Sequence, residues 1–427
     1  MTATDHTPHG DPIATWRYAR EAWRLSRRMS PRMIDLYLRL RSGRGLPRSF
    51  WARFVAMQIP EETINRALGE VRGLGDWMGA WNRAAQRHLG EARREDAAGR
   101  WQEAATARRH ASMCYHAAYL VTDTDARTVR ALRAASVAVF GQALPLLMAE
   151  TRRVAVRWRT SELPGYLAHS ATRPTDRRPL VVLLNGATTT KEEMLLWARP
   201  FLAQRLSVLA LDWPGTGEAH AVGPVSSQCD DVTEGILSLV AEEPALDPER
   251  IGLVGFSLGG AVAVRAAAQE RRMAACVVVT APFDAAQWVW SVNPIVRQQL
   301  VGIAGAQVSL EDVADDFSPA VALSRLRCPL LVFGAGRDLV VPPEEAMNLA
   351  TAGGDLATLV WYPTGAHGLY AFVDDWTAIA ARWLAETIGD GAIDVDEGST
   401  WVDDDFAGDA PPVVVRSAAA RANRDET

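Results

Sequence analysis

The stretch RIGLVGFSLGGAVAVRAAA, residues 250–268, decides the fold. A short apolar run, Ile251 to Gly255, leads into a serine set between glycines, and an alanine-rich helical run follows. The pentapeptide Gly255-Phe256-Ser257-Leu258-Gly259 matches G-x-S-x-G, a pattern that on its own carries little weight, since roughly 0.1 chance matches are expected in a chain of this length. Its setting carries more. Between a strand and a helix the glycines allow close approach around a tight turn, and the turn projects the serine hydroxyl from the sheet edge. The competing reading is a serine that caps a buried helix.

The surrounding sequence supports the turn. PLVVLLNG (179–186), SVLALD (207–212), ACVVVTA (275–281), PLLVFGAG (329–336) and ATLVWY (357–362) are short, apolar and rich in β-branched residues, each followed by a helical stretch or a loop leading into one. Strands alternating with helices predict an α/β fold, a mostly parallel sheet covered on both faces. Ahead of it, VAVRWRTSELPGYLAHS (154–170) alternates with period two and predicts an antiparallel hairpin with SELPG as its turn.

Earlier still, TWRYAREAWRLSRRM (15–29), EETINRALGEVRGLGDWMGAWNRAAQRHLG (61–90), AGRWQEAATARRHASMCYHAAYLV (98–121) and DARTVRALRAASVAVFGQALPLLMAE (125–150) place apolar residues three and four apart. The division is therefore a polar tail over 1–12, an all-helical N-terminal domain over 13–150, an α/β domain over 151–390, and a tail over 391–427. Residues 283–327, between two strands, are too long for an ordinary connection and form a candidate lid. The last stretch is acidic, aperiodic and Pro/Gly-containing, and is expected to be disordered.

Composition narrows the function classes. With 427 residues and 48% hydrophobic content the chain can bury a large core. No apolar run approaches the roughly 18 residues of a membrane span, and the polar start lacks the regions of a secretory signal, so a cytoplasmic location without membrane attachment is expected. Cys114, Cys229, Cys276 and Cys328 are scattered, without ligand spacing, and read as buried reduced thiols; no metal and no other cofactor are expected. The net charge of −6 conceals +12 over residues 1–160, where 27 arginines face 15 acidic residues, and −18 over the rest. Those arginines alternate with alanines and tryptophans at helical spacing, which suits a solvated helix face and not a nucleic-acid surface. Lys191 is the only lysine, which reads as a codon bias without functional meaning.

A serine hydroxyl needs a base to become a nucleophile, and in this architecture the order along the chain is serine, acid, histidine. Of the eight histidines only His367, in YPTGAHGLY after the last strand, follows Ser257. Asp338, in PLLVFGAGRDLVVP, places a carboxylate at the end of the strand before it; Asp284 is the alternative acid, ahead of Asp315 and Asp316. Two backbone N–H groups suit an oxyanion: that of Leu258, directly after the serine, and that of Ala187, aimed by the freedom of Gly186. Asp212 and Glu218, in LDWPGTGEA, read as parts of a rigid turn before catalytic carboxylates. Trp288 and Trp290, in the candidate lid, suit a bulky apolar substrate or serve equally as core residues.

Taken together, NGATTTKEE, DWPGTGEA, GFSLGG, GAGRDLVVPPEEA and TGAHGLY resemble one branch of the α/β-hydrolases. The branch takes in esterases similar to the fermentation-respiration switch protein, dihydroxypseudooxynicotine hydrolase and polyketide-shortening hydrolases. The likeness spans most of residues 150–390, and members carry a helical domain before it that leans over the site. It implies an α/β-hydrolase fold preceded by that domain, and a homodimer. It also implies Ser257, Asp338 and His367 as catalytic triad, with Ala187 and Leu258 as the oxyanion hole.

The chain departs from its branch at Asn185, where relatives often read glycine, and at Trp213 and Thr216 in the turn after the second parallel strand. Thr188 stands where a relative that cleaves a carbon–carbon bond has glutamate. Thr188 and Trp213 are accordingly candidate substrate contacts beside Trp288 and Trp290. The reading is a serine hydrolase acting on an ester, thioester or β-dicarbonyl of a small, polyketide-like molecule. An acyltransferase or acyl-eliminating lyase using the same site is the alternative, and a non-catalytic binding protein the remaining one.

Overall fold

The computed structural model describes residues 30–121, 126–170, 176–304, 308–393 and 413–416. The expected tail over 1–12 and the helical stretch over 15–29 lie outside them.

Among the described residues six helices come first: α1 (Pro31–Arg41), α2 (Arg48–Ala56), α3 (Glu61–Glu70), α4 (Trp77–Ala97), α5 (Trp101–Ala118) and α6 (Ala126–Leu147). Ser30 caps α1 through its side chain, with Pro31 in the first turn, as helix starts favour. Alanines every three or four residues bring α5 close to α4 and α6, and the buried polar side chains of α5, Ser112 and His116, are paired. Ser112 and Ser136 each donate to the other's carbonyl across α5 and α6, at 2.8 and 2.9 Å, and Trp77 Nε1 donates to Ala117 O at 2.8 Å.

The chain then enters the sheet through β1 (Thr151–Trp158), β2 (Ser161–Ala168), β3 (Arg178–Leu184) and, after α7 (Lys191–Leu196) and α8 (Arg199–Ala203), β4 (Ser207–Leu211). It continues with α9 (Val232–Glu242), β5 (Leu246–Phe256), α10 (Leu258–Gln269) and β6 (Met273–Val279). The segment between β6 and β7 (Leu330–Ala335) carries α11 (Pro294–Ala304), α12 (Leu310–Asp316) and α13 (Ala320–Leu323). Next come α14 (Pro343–Gly353), β8 (Ala357–Tyr362), α15 (Val373–Thr387) and β9 (Val413–Arg416). The strand order is β1-β2-β4-β3-β5-β6-β7-β8-β9; β4 to β8 form a parallel block, with antiparallel β1 and β2 at one edge and β9 at the other.

Two expectations are corrected. The hairpin turns at Arg159 and Thr160, with Arg159 at φ 53°, and SELPG lies inside β2. Pro164 is tolerated there because the pairing of β2 with β4 begins only at Gly165, and its carbonyl accepts from Asp212 N at 3.1 Å. The second concerns one part of the C-terminal stretch: Val413 to Arg416 pair with β8 as a strand, which the Val413-Val414-Val415 run favours over disorder, while residues 394–412 and 417–427 lie outside the described residues. Residues 391–393 are also placed, through two hydrogen bonds between Gln204 and the backbone of Ile393.

The sheet is buried on both faces. Leu180, Val182 and Leu184 of β3 join one core with α9, α10 and α14, while Val181 and Leu183 join another with α15 and the N-terminal helices. Phe54, Trp77 and Trp81 of those helices belong to the same core as Phe256 and Phe333 of the sheet, so the helical region shares the sheet's apolar interior. Among the described residues no helix is long and apolar enough to cross a membrane. All four cysteines are free and buried.

Candidate active site

β5 lies at the centre of the parallel block and ends one residue before Ser257. Ser257 has φ 51° and ψ −121°, a conformation that L residues seldom hold unless the surroundings force it. The surroundings are small by necessity. A Cβ on Gly259 would lie 2.4 Å from Asn185 O, one on Gly255 2.5 Å from Gly259 O, and one on Gly260 2.3 Å from the Ala281 Cβ. Only glycine lets β5, α10 and β3 come this close. The Ser257 N–H donates to Val279 O at 2.8 Å, which pins the turn to β6.

Ser257 Oγ is 3.0 Å from His367 Nε2, and His367 Nδ1 is 2.8 Å from Asp338 Oδ2. Because a carboxylate only accepts, Nδ1 carries the proton and Nε2 is the acceptor that faces the serine hydroxyl. The other carboxylate oxygen of Asp338 accepts from Val340 N at 2.8 Å and Val341 N at 2.9 Å. Backbone bonds from Gly336 N to Tyr362 O and from Arg337 N to Gly365 O, both 2.8 Å, stitch the aspartate loop to the histidine loop. Behind the histidine the chain reverses at Gly368 (φ 77°) and Leu369 (φ 48°), and Gly368 N donates to Thr280 Oγ1. Phe256, Tyr370, Trp197 and Trp376 pack as one aromatic group beneath, with centroids 5.3–6.4 Å apart.

The loop after β3 lies against the serine. A Cβ on Gly186 would stand 3.2 Å from the Ser257 Cβ, so the peptide that carries the Ala187 N–H runs beside the nucleophile. Leu258 opens α10, and its N–H therefore has no partner within the helix. Gly186 N donates to Thr189 Oγ1 at 2.6 Å and Asn185 Nδ2 to Thr189 O at 2.6 Å, closing the loop on itself.

The structure thus brings together Ser257, His367, Asp338, Ala187 and Leu258, with Thr188 half-buried next to them. Two of the three candidate tryptophans are taken up by the protein itself. Trp213 is 0% exposed and donates to Asn185 O at 2.6 Å, so it props the loop from within the core. Trp288 is buried and donates to Glu345 Oε2 at 2.6 Å, which also accepts from Phe283 N and Asp284 N at 2.8 Å. It ties the start of the insertion to α14. Trp290 is 46% exposed. Asp284 and Asp316 also serve the insertion: Asp284 accepts from Gln287 and Ser318, Asp316 from Ser226 and Ser227.

Asp212 and Glu218 belong to a buried ionic knot. Asp212 accepts from Lys191 N and Glu218 N at 2.8 Å, and Lys191 Nζ meets Asp212 at 3.1 Å, Glu218 at 2.8 Å and Glu192 at 2.7 Å. Burial alone would lower the ammonium's pKa, but the carboxylates of Asp212 and Glu192 outweigh it and hold the group well above the usual lysine range. The only lysine in the chain, set aside in the sequence as a codon effect, is 0% exposed and locks the loop after β3 to the turn after β4.

Sequence reasoning also missed Arg53, Glu193 and His116. Arg53 of α2 donates from Nη1 to Thr188 Oγ1 at 3.1 Å and from Nη2 to Thr188 O at 2.8 Å. No signal in the sequence links residues 135 positions apart on different elements.

A sheet of this order, with a strained serine after its central strand and a histidine and an aspartate delivered by later loops, defines an α/β-hydrolase. The chain belongs to the alpha/beta hydrolase family, whose model matches residues 181–421, and a model described as esterase FrsA-like matches residues 51–289. Among curated proteins it is 25% identical over 287 residues to the 2,6-dihydropseudooxynicotine hydrolase of Paenarthrobacter nicotinovorans, covering 64% of this chain and 77% of that one. It is 29% identical over 235 residues to the esterase FrsA of Vibrio cholerae, covering 53% and 54%. With the hydrolase acrC of Aspergillus aculeatus it shares 31% over 233 residues, covering 49% and 54%. The match thus spans about half the length of these last two relatives. In fold it is similar to the crystal structure of the 2,6-dihydroxy-pseudo-oxynicotine hydrolase, with a TM-score of 0.70 at 21% identity, covering 82% of this chain and 100% of that one.

Proposed function

We propose that the protein is a serine hydrolase of small acyl compounds, with Ser257 as nucleophile, His367 as general base and acid, and Asp338 as the group that holds the imidazole. The observation that carries this reading is the continuous chain from Ser257 Oγ to His367 at 3.0 Å and on to Asp338 at 2.8 Å, starting from a serine held in a strained turn. In this scheme Ser257 Oγ bonds to the acyl carbon while its proton passes to His367 Nε2. The oxyanion takes the N–H groups of Leu258 and Ala187, each such donor being worth about a hundred- to a thousandfold in rate. Collapse breaks the bond to the leaving group, which leaves with the proton from Nε2. Water then repeats the sequence and frees the acid.

Esters, thioesters and β-dicarbonyls all present such a carbon; in the last the leaving group is an enolate that takes its proton on carbon. Relatives named for a pseudooxynicotine and a prefusarin support an organic small molecule. The helical region and the insertion meet where Gln299 Nε2 donates to Leu120 O at 3.2 Å, and this contact supports a site capped from both sides.

The test is a panel of 4-nitrophenyl esters, acyl thioesters and β-diketones, with Ser257→Ala as blank. We expect turnover that vanishes in the blank, with one ¹⁸O from labelled water in the released acid. Turnover that persists in the blank would overturn the reading, and product without label would point to acyl transfer or elimination.

A further inference from the structure

Three helical-region side chains turn toward the sheet and form one network there. Arg53 spans both polar groups of Thr188, as described above. Glu193 of α7, 0% exposed, lies 3.6 Å from the same Nη2, and its Oε2 is 3.0 Å from His116 Nε2. His116 Nδ1 meets the Tyr119 hydroxyl. The guanidinium also lies over the Tyr370 ring, 5.3 Å from its centroid, three residues beyond the catalytic histidine.

The geometry points to a specific task for this network. We propose that Arg53 is a positioning residue for the oxyanion hole: it grips Thr188 from the helical region and so fixes the direction of the Ala187 N–H. Glu193 holds Arg53, and His116 holds Glu193. The inference rests on reading Ser257 as nucleophile and Ala187 as donor.

The physical need is clear from the loop. A side chain at Gly186 would stand tightly against Ser257, Cβ to Cβ at 3.2 Å, but a glycine leaves the following peptide free to swing. The side chains of Asn185 and Thr189 restrain the loop from inside, and the contact that fixes Thr188 from outside is Arg53. A guanidinium suits the task because its planar fork meets two acceptors at fixed spacing, which an ammonium does not. Displacing a catalytic group by about 1 Å costs up to ~100-fold in rate.

The test uses the full chain and compares wild type with Ser257→Ala, Arg53→Met, Arg53→Lys, Thr188→Val and the double variant Arg53→Lys/Thr188→Val. Three quantities are read: kcat and KM on 4-nitrophenyl butyrate, the second-order rate at which an alkyl fluorophosphonate labels Ser257, and the melting temperature. Fluoride displacement by the serine oxygen also builds charge in the oxyanion hole, so labelling reports on that hole without the natural substrate.

We expect Arg53→Met to lower kcat and the labelling rate together, about 30- to 100-fold, with KM within about threefold. Arg53→Lys should lose about tenfold and Thr188→Val about threefold. Their combination should lose less than the product, because both act on one contact. If Arg53→Met does not fold, the two milder variants decide, assayed at a temperature at which their melting curves show each of them folded. Wild-type kcat and labelling in folded Arg53→Lys and Thr188→Val overturn the inference while leaving the nucleophile intact. So do strictly multiplicative losses in the double variant. Labelling or turnover that survives Ser257→Ala instead removes the reading on which the inference stands.

Discussion

The serine–histidine–aspartate chain and the Arg53–Glu193–His116 network are both buried polar systems at the carboxyl edge of the sheet, and they are held by opposite means. The first is built by backbone. Strained or left-handed turns at Ser257, Gly368 and Leu369, glycines packed against carbonyls, and bonds between the two flanking loops place each side chain where its strand ends. The second is built by side chains that converge from α2, α5 and α7, with ordinary helical backbone under each of them. The difference teaches where each system is vulnerable. Loss of a side chain from the first should remove chemistry and leave the fold intact, whereas loss from the second should cost stability as well as rate.

The comparison breaks most sharply at the nucleophile. Ser257→Ala should lower kcat about 10⁴-fold or more with an unchanged melting temperature, as removal of the nucleophile does in other serine hydrolases. Asp338→Asn should follow, with about a 10⁴-fold loss, because an amide at this position no longer demands the proton on His367 Nδ1 and the wrong tautomer faces the serine. A folded Asp338→Asn variant with near wild-type kcat would show that another acid holds the imidazole.

The second network should answer differently. Glu193→Ala leaves the Arg53 guanidinium and His116 without their carboxylate in a buried setting, and removing one partner of a buried pair costs about 3–5 kcal/mol. We expect a melting temperature lowered by several degrees, together with the modest kcat loss of a loosened Arg53. A rate loss at full stability would place Glu193 with the first system.

The same contrast explains what was legible in the sequence. Ser257, Asp338 and His367 each sit just after an apolar strand, in short windows of glycine and small residues, so local pattern and chain order were enough to put them at one edge. The two oxyanion positions followed from the same windows. Arg53, His116 and Glu193 leave no such mark, because a helix that buries one arginine or histidine reads like any amphipathic helix. Trp213 departs from the substrate expectation, and Trp288 takes the core alternative, for a related reason: tryptophan in a loop near a site suggests substrate, but each indole N–H finds a buried acceptor in the protein itself, Asn185 O and Glu345. Pro164 and the Val413–Val415 run show the limit of breaker and composition rules where a neighbouring strand decides the outcome.

The smallest effect concerns the helical region alone. His110 of α5 is held neutral: burial, with Arg109 and His88 beside it, lowers its pKa from 6.5 to about 3. The folded state therefore declines a proton that the unfolded chain accepts below about pH 6.5. The stability this group contributes is full above that pH and is lost as the pH falls toward 3, with a slope of at most about 1.4 kcal/mol per pH unit and less for a group that solvent partly reaches. The catalytic half has no part in this term. Urea unfolding of wild type and His110→Gln at pH 7, 6 and 5 should show the stability gap between them shifting toward the variant by about 1 kcal/mol as the pH falls. A gap that stays constant across this range would mean that His110 takes up its proton in the folded protein as readily as in the unfolded chain, and that the acid sensitivity of the helical region has another source.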